Sequence, residues 1–143
     1  MNARYWIGVA ARDHVKTGVA GGFCQLGHGK SQPLKRMHEG DWLIYYSSKE
    51  AFKGDALCQS FTAIGQLLDE RIYAVEMTPD FVAQRRDVRY LNATDTPIRP
   101  LLESLSFIKD VKRWGYAFRF GHFEIQYADF VRVATAMLGH APV

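Results

Sequence analysis

Two features of the sequence predict a mixed α+β domain: a small curled sheet or partly open barrel of five or six strands with short helices around it. Segments rich in aromatic and β-branched residues recur at strand length, and only short helical patterns separate them. The 143 residues fit one domain spanning 1–143, long enough to bury a core without disulfide or metal staples. No repeat, low-complexity stretch or linker divides the chain.

RYWIGVA, residues 4 to 10, reads as a buried first strand. RDHVKTGVAGGF follows as a short helix, with Asp13 as its N-cap and Gly21-Gly22 as its end. After a basic, glycine-dotted loop, PLKRM forms a turn of helix with Pro33 at its first position. Gly40-Asp41 turns the chain into the strand DWLIYYS, where Asp41 fixes the turn. QSFTAIGQLL (59 to 68), RIYAVEM (71 to 77) and RDVRYLN (86 to 92) read as a meander, with Asp69-Glu70 closing a hairpin between the first two. Pro97 and Pro100 bracket the approach to a short helix in LLESLSFI. YAFRFGHFEI (116 to 125) alternates around Gly121 as a bent strand. ADFVRVATAMLG closes the chain as a helix, with Phe130, Val133, Ala134 and Met137 on one face and Gly139 as its cap.

Composition narrows the function. Hydrophobic residues make up 48% and charged residues 23%, and no segment approaches the ~18 consecutive apolar residues of a membrane span. MNARYWIGVAARDH does not read as a secretory signal, so a cytoplasmic location with no membrane partner is expected. Cys24 and Cys58 lie far apart, without CxxC spacing, and are expected to be free thiols. The net charge of +3 is uneven: residues 1 to 38 carry +5 and the remainder −2. A basic patch of that size suits a polyanion contacted over a limited surface, such as a short stretch of nucleic acid.

CQLGHGKS, residues 24 to 31, is one substitution from the phosphate-loop pattern GxxxxGK[ST]. The context argues against that chemistry. Cys24 replaces the first glycine, no apolar strand precedes the loop, and Pro33 follows closely where a helix should run on. Cys24, His28 and His38 lack the paired spacing of a structural zinc site, so neither metal nor cofactor is expected. A nucleophilic Cys24 with His28 or His38 as base is the enzymatic alternative, acting on a nucleoside-like substrate.

The aromatic content stands out, with three Trp, seven Tyr and nine Phe. Most of these rings belong to a core. Trp6, Tyr46, Trp114 and Phe118, however, lie beside small polar or basic residues, as in YYSSK and KRWGYAFRFG. Such rings can stack a planar base while neighbouring cations hold phosphates.

RYWIGVAARDHV, GGFCQLGHGK, PLKRMHEGDWLIYYS, FTAIGQ and KRWGYAFRFGHFEI, in this order, resemble the EVE domain of the PUA-like superfamily, related to the YTH and ASCH domains. The resemblance runs from about Arg4 to Leu138 and is greatest to the small stand-alone bacterial branch. It implies a PUA-like, strongly bent mixed β-barrel with flanking short helices, and a binding module, not an enzyme. It further implies a reader that takes a modified base, such as methylated or hydroxymethylated cytosine, into an aromatic-lined pocket, with links to restriction of modified DNA. Trp6 matches the family's opening-strand Trp, Ser47 a small polar residue at the pocket mouth, and Arg119 a late-strand Arg at the rim. Cys24 and Gln25 fall in the loop of base-edge contacts. The expected stacking cage is Trp6, Tyr46 and Trp114, with Cys24, Gln25 and Ser47 at the base edge. Arg12, Lys30, Lys35, Arg36, Arg113 and Arg119 are the expected phosphate contacts. The expected partner is nucleic acid, DNA ahead of RNA, with any cutting left to a nuclease acting in trans. An RNA-binding module for tRNA or rRNA is the remaining alternative.

Overall fold

The computed structural model describes residues 2–142. The first strand, β1 (Tyr5–Val9), pairs in parallel with β3 (Trp42–Lys49) and antiparallel with β8 (His122–Ile125). A parallel pair needs a long crossover. Residues 10 to 41 supply it with α1 (Arg12–Gly21), the two-residue β2 (Phe23–Cys24) and α2 (Gln32–Lys35). The sheet continues through β4 (Leu57–Leu67), β5 (Tyr73–Thr78), β6 (Phe81–Tyr90) and β7 (Thr96–Pro97), and α3 (Tyr127–Leu138) packs against it. The strand order is β2-β6-β4-β3-β1-β8, with β5 added to β6 and β7 to β4. The result is a strongly curled, six-strand half-barrel with short flanking helices, as expected.

The centre of the sheet is buried on both faces, which explains why WLIYY is an unbroken apolar run rather than an alternating one. Ile7, Trp42, Ile44 and Tyr46 face one core with Phe61, Ile64 and the α3 residues Phe130, Val133, Ala134 and Met137. Trp6, Leu43 and Tyr45 face a second core with Val15, Cys24, Leu34 and Val88. The helix ends follow backbone chemistry. Gly22 (φ 73) and Gly139 (φ 86) close α1 and α3 in the left-handed region that glycine adopts without strain. Asp41, 3% exposed, accepts from the backbone N–H groups of Arg4 and His38 and from the indole of Trp6, and so fixes the turn into β3.

Three local expectations are corrected. Asp69-Glu70 closes no hairpin: β6 lies between β4 and β5, pairing Val88–Tyr90 with β4 and Phe81–Arg85 with β5. The turn residues are drawn sideways instead. The Asp69 carbonyl receives the buried guanidinium of Arg86, and the Glu70 carboxylate receives the Glu39 N–H at 2.6 Å. Residues 116 to 120 belong to a 3-10 segment, Val111–Phe120, and strand geometry begins only after Gly121. In that segment Trp114, Ala117 and Phe118 pack inward while Tyr116, Arg119 and Phe120 are exposed. The alternating apolar residues thus come from a tight helical turn. Finally, α1 begins at Arg12 with Ala11 at its N-cap, so Asp13 lies within its first turn.

Candidate nucleic-acid interface

The parallel strands β1 and β3 end side by side, and a two-lobed groove opens beyond their C-terminal ends. One lobe, about 440 Å³, is bounded by Ala11 and His14 at the start of α1, by Gln25 and His28, and by Phe52 and Phe81 at its rim. The loop that carries His28 is the glycine-flanked segment of CQLGHGKS. Gly27, His28 and Gly29 adopt φ values of 56, 60 and 79 in succession, a left-handed run that costs a side-chain-bearing residue energy. A Cβ on Gly29 would lie 2.9 Å from that of Ala83, so the loop presses directly onto β6. This path brings the His28 ring edge-on to Phe52, centroids 6.1 Å apart.

The second lobe, about 530 Å³, shares Val9, Ser48, Phe118 and Arg119 with the first. Its aromatic wall is compact. Tyr46 stacks on Phe118 at 4.0 Å, and Trp114 stands edge-on to Tyr46 at 6.3 Å. Burial pushes the Tyr46 hydroxyl up to about 12, so it remains a neutral phenol. Arg99, Lys112, Arg113 and Arg119 surround this wall. The Arg99 guanidinium lies 5.5 Å from the Trp114 ring and donates to Gln59 Oε1 at 3.2 Å, while Arg119 lies 3.9 Å from the ring of Tyr116. Among the described residues none of the four cations is in an ion pair. Four uncompensated cations around a half-buried Trp114, backed by the buried rings of Tyr46 and Phe118, favour a planar, polyanionic ligand.

The residues singled out from sequence divide among this groove, the cores and the surface outside both. Tyr46 and Trp114 meet in it, Arg113 and Arg119 line it, and Gln25 lines the first lobe. Trp6 does not join the cage. The β1–β3 register sets it opposite Leu43 on the other face of the sheet from Tyr46. There it is 2% exposed, donates to Asp41 at 3.0 Å and stacks on His122. Ser47 is fully buried and pairs its hydroxyl with that of Thr62 at 2.8 Å, while its neighbour Ser48 reaches the groove. Cys24 is 1% exposed in the second core, and burial pushes its thiol up to about 12. Neither Ser47 nor Cys24 lines either lobe. Arg12 is held by Asp95 at 2.6 Å and Glu50 at 3.6 Å, within a network that also ties Lys16 to Asp95. Lys30, Lys35 and Arg36 are exposed outside both lobes, and Arg36 donates to the His122 carbonyl at 3.3 Å.

The chain matches the EVE domain family over residues 4–136. It belongs to that family. A UPF0310 protein of Mycobacterium avium (strain 104) is 49% identical over 132 residues, covering 92% of this chain and 96% of that one. The fold is shared more widely. A YTH domain-containing protein, mmi1, determined in complex with RNA, superposes with a TM-score of 0.61 at 10% identity, covering 94% of this chain and 80% of that one. Rpa0253 from Rhodopseudomonas palustris superposes with a TM-score of 0.56 at 16% identity, covering 94% and 92%. Among the described residues of this EVE domain no helix is long and apolar enough to cross a membrane, and no three His, Cys, Asp or Glu side chains gather as a metal site would need.

Sequence reasoning missed several groove residues of this EVE domain. Arg99 and Lys112 were missed because each stands at the start of a 3-10 turn, Arg99–Ser104 and Val111–Phe120, and only the folded chain brings these two starts to one groove. Gln59 has φ 48, and together with His28 it is one of two non-glycine residues with positive φ among the described residues. Both line the groove, and such backbone strain has no sequence signature at a Gln or a His.

Proposed function

We propose that this EVE domain binds a nucleic-acid strand and seats one unstacked, modified base in the lobe between His14, Gln25 and Phe118. The adjoining cations hold the flanking phosphates. The observation that carries the reading is the continuity of the two lobes: a largely apolar recess opens directly onto a wall of Tyr46, Trp114 and Phe118 ringed by four unpaired cations. Stacking on such rings tolerates any base, so selection among bases falls to the polar groups of the first lobe.

The proposed ligand is a cytosine modified by methyl or hydroxymethyl in DNA, and the proposed setting is restriction of modified DNA with a separate nuclease. RNA is the second reading, favoured by the RNA complex of the mmi1 domain that shares this fold. In both readings the domain is a binding module. The enzymatic alternative would need Cys24 as a thiolate, and its burial and raised pKa oppose that.

Binding of matched DNA and RNA oligonucleotides, with and without modified cytosine or adenine, at two salt concentrations tests the proposal. Expected are tighter binding of one modified form and an affinity that falls with salt. Equal affinity for modified and unmodified strands would overturn it, and dependence on the 2′-hydroxyl would select RNA.

A further inference from the structure

The first lobe adjoins a smaller cavity of about 220 Å³, and His14 and Gln25 line both. Gln25 is held unusually firmly for a loop residue. Its backbone N–H donates to the Tyr45 hydroxyl at 3.2 Å, and its carbonyl accepts from that hydroxyl at 3.1 Å. Its side chain is fixed as well, because Arg85 Nε donates to Gln25 Oε1 at 3.0 Å. Arg85 is anchored in turn, with its guanidinium 3.8 Å from the Phe23 ring and Nη2 3.0 Å from the Met77 sulfur.

A guanidinium has donors and no acceptor, so the amide of Gln25 can face Arg85 only with its oxygen. That chemistry removes the twofold ambiguity of an amide. The Nε2 group donates to no protein atom among the described residues. Gln25, which lines both the first lobe and the smaller cavity, therefore keeps its amide donors free for a ligand, with its oxygen already engaged.

We infer that Arg85 and Gln25 form a specificity pair, in which Arg85 positions the amide so that Gln25 selects a base edge rich in acceptors. Cytosine, whose O2 and N3 are adjacent acceptors, fits this arrangement. Thymine and guanine offer no two adjacent acceptors on that edge, because N3–H of thymine and N1–H of guanine stand next to their carbonyls. A modification at cytosine C5 leaves both acceptors untouched, so this edge and the modified position are read by different groups. The inference rests on the proposal that the lobe holds a base.

Short DNA oligonucleotides of one sequence, carrying cytosine, 5-methylcytosine or 3-deaza-5-methylcytosine at one position, test it. The last probe replaces the N3 acceptor with C–H. Wild-type protein is expected to bind the 5-methylcytosine strand about 10-fold or more tighter than the 3-deaza strand, the discrimination expected of a lost base-edge hydrogen bond. Gln25→Glu keeps a partner for Arg85 but turns the amide donor into an acceptor, and is expected to abolish that ratio. Arg85→Met keeps an apolar stem against Phe23 and frees the amide to rotate, and is expected to reduce the ratio while thermal stability stays near wild type. Equal wild-type binding of the 3-deaza and 5-methylcytosine strands, or unchanged ratios in both variants, would overturn the specificity pair alone. Equal binding of cytosine and 5-methylcytosine strands, with no other modification preferred, would instead overturn the proposed function.

Discussion

Trp6 and His122 lie face to face, their ring centroids 4.8 Å apart and their planes 9° from parallel. The pair is closed off from solvent, and neither imidazole nitrogen has a protein hydrogen-bond partner among the described residues. Burial, with the nearby Arg36 charge, pushes His122 down to about 4. The core thus holds a neutral imidazole at pH values well above 4.

Stability should therefore depend on acid in a particular window. The unfolded chain takes up a proton at His122 near pH 6.5, whereas the folded chain resists until about pH 4. The contribution is fully present above pH 6.5 and is lost as pH falls toward 4, by roughly 3 kcal/mol in all. Urea unfolding of wild type and His122→Phe at pH 7.5, 5.5 and 4.5 measures it, with the variant expected to show the flatter profile. Identical slopes in the two proteins would show that other groups carry the effect.

Arg86 is the largest fully buried side chain, and its guanidinium donates to the backbone carbonyls of Leu34, Met37 and Asp69. It joins α2 and the 37–39 loop to the residues that follow β4. Arg86→Met should lower stability by about 3 kcal/mol, because buried carbonyls lose donors that no water easily replaces. The check is the urea midpoint of the folded variant, together with faster amide exchange in residues 34 to 41 and 68 to 71. An unchanged midpoint would mean that the carbonyls find other partners.

The two thiols should differ sharply. Cys24 is 1% exposed with its pKa pushed up to about 12, while Cys58 is half-buried. At pH 8 the thiolate fraction of Cys24 is on the order of one in ten thousand, and access is closed as well. Titration of native protein with a chromogenic disulfide should modify Cys58 first, and Cys24 only as denaturant unfolds the chain. Fast native labelling of Cys24, tracked in a Cys58→Ser background, would reopen the nucleophile alternative.

How far the sequence revealed this architecture depends on which force placed each residue. β3 was legible as a short, continuous aromatic and β-branched run, and α3 because its apolar residues recur at helical spacing. Trp6 was placed with Tyr46 because a sheet buried on both faces offers no polar alternation to say which side a ring occupies; the register with β3 decides it. The hairpin at Asp69-Glu70 was misread because a turn signal does not reveal a buried arginine reaching it from β6. In the groove, Trp114, Arg113 and Arg119 stood out as aromatics among cations. Gln25 could be named, but its lock by Arg85 sixty residues away could not.

The groove itself makes the last prediction, because its two lobes assign separate tasks to stacking and to charge. Trp114 is half-buried against Tyr46, so Trp114→Ala should leave the fold intact while removing a stacking surface. Affinity for a preferred oligonucleotide should fall by ~5-fold to more than 100-fold, with the salt dependence unchanged. Arg113→Gln should weaken preferred and unmodified strands alike, and lower the slope of log affinity against log salt by ~0.7 to 0.9, the counterion release of one lost phosphate contact. Lys35→Gln, on exposed α2 outside both lobes, should change neither quantity. Fluorescence anisotropy across a salt series separates the three. A Lys35 effect as large as that of Arg113 would move the strand's path off the groove and onto the α2 face.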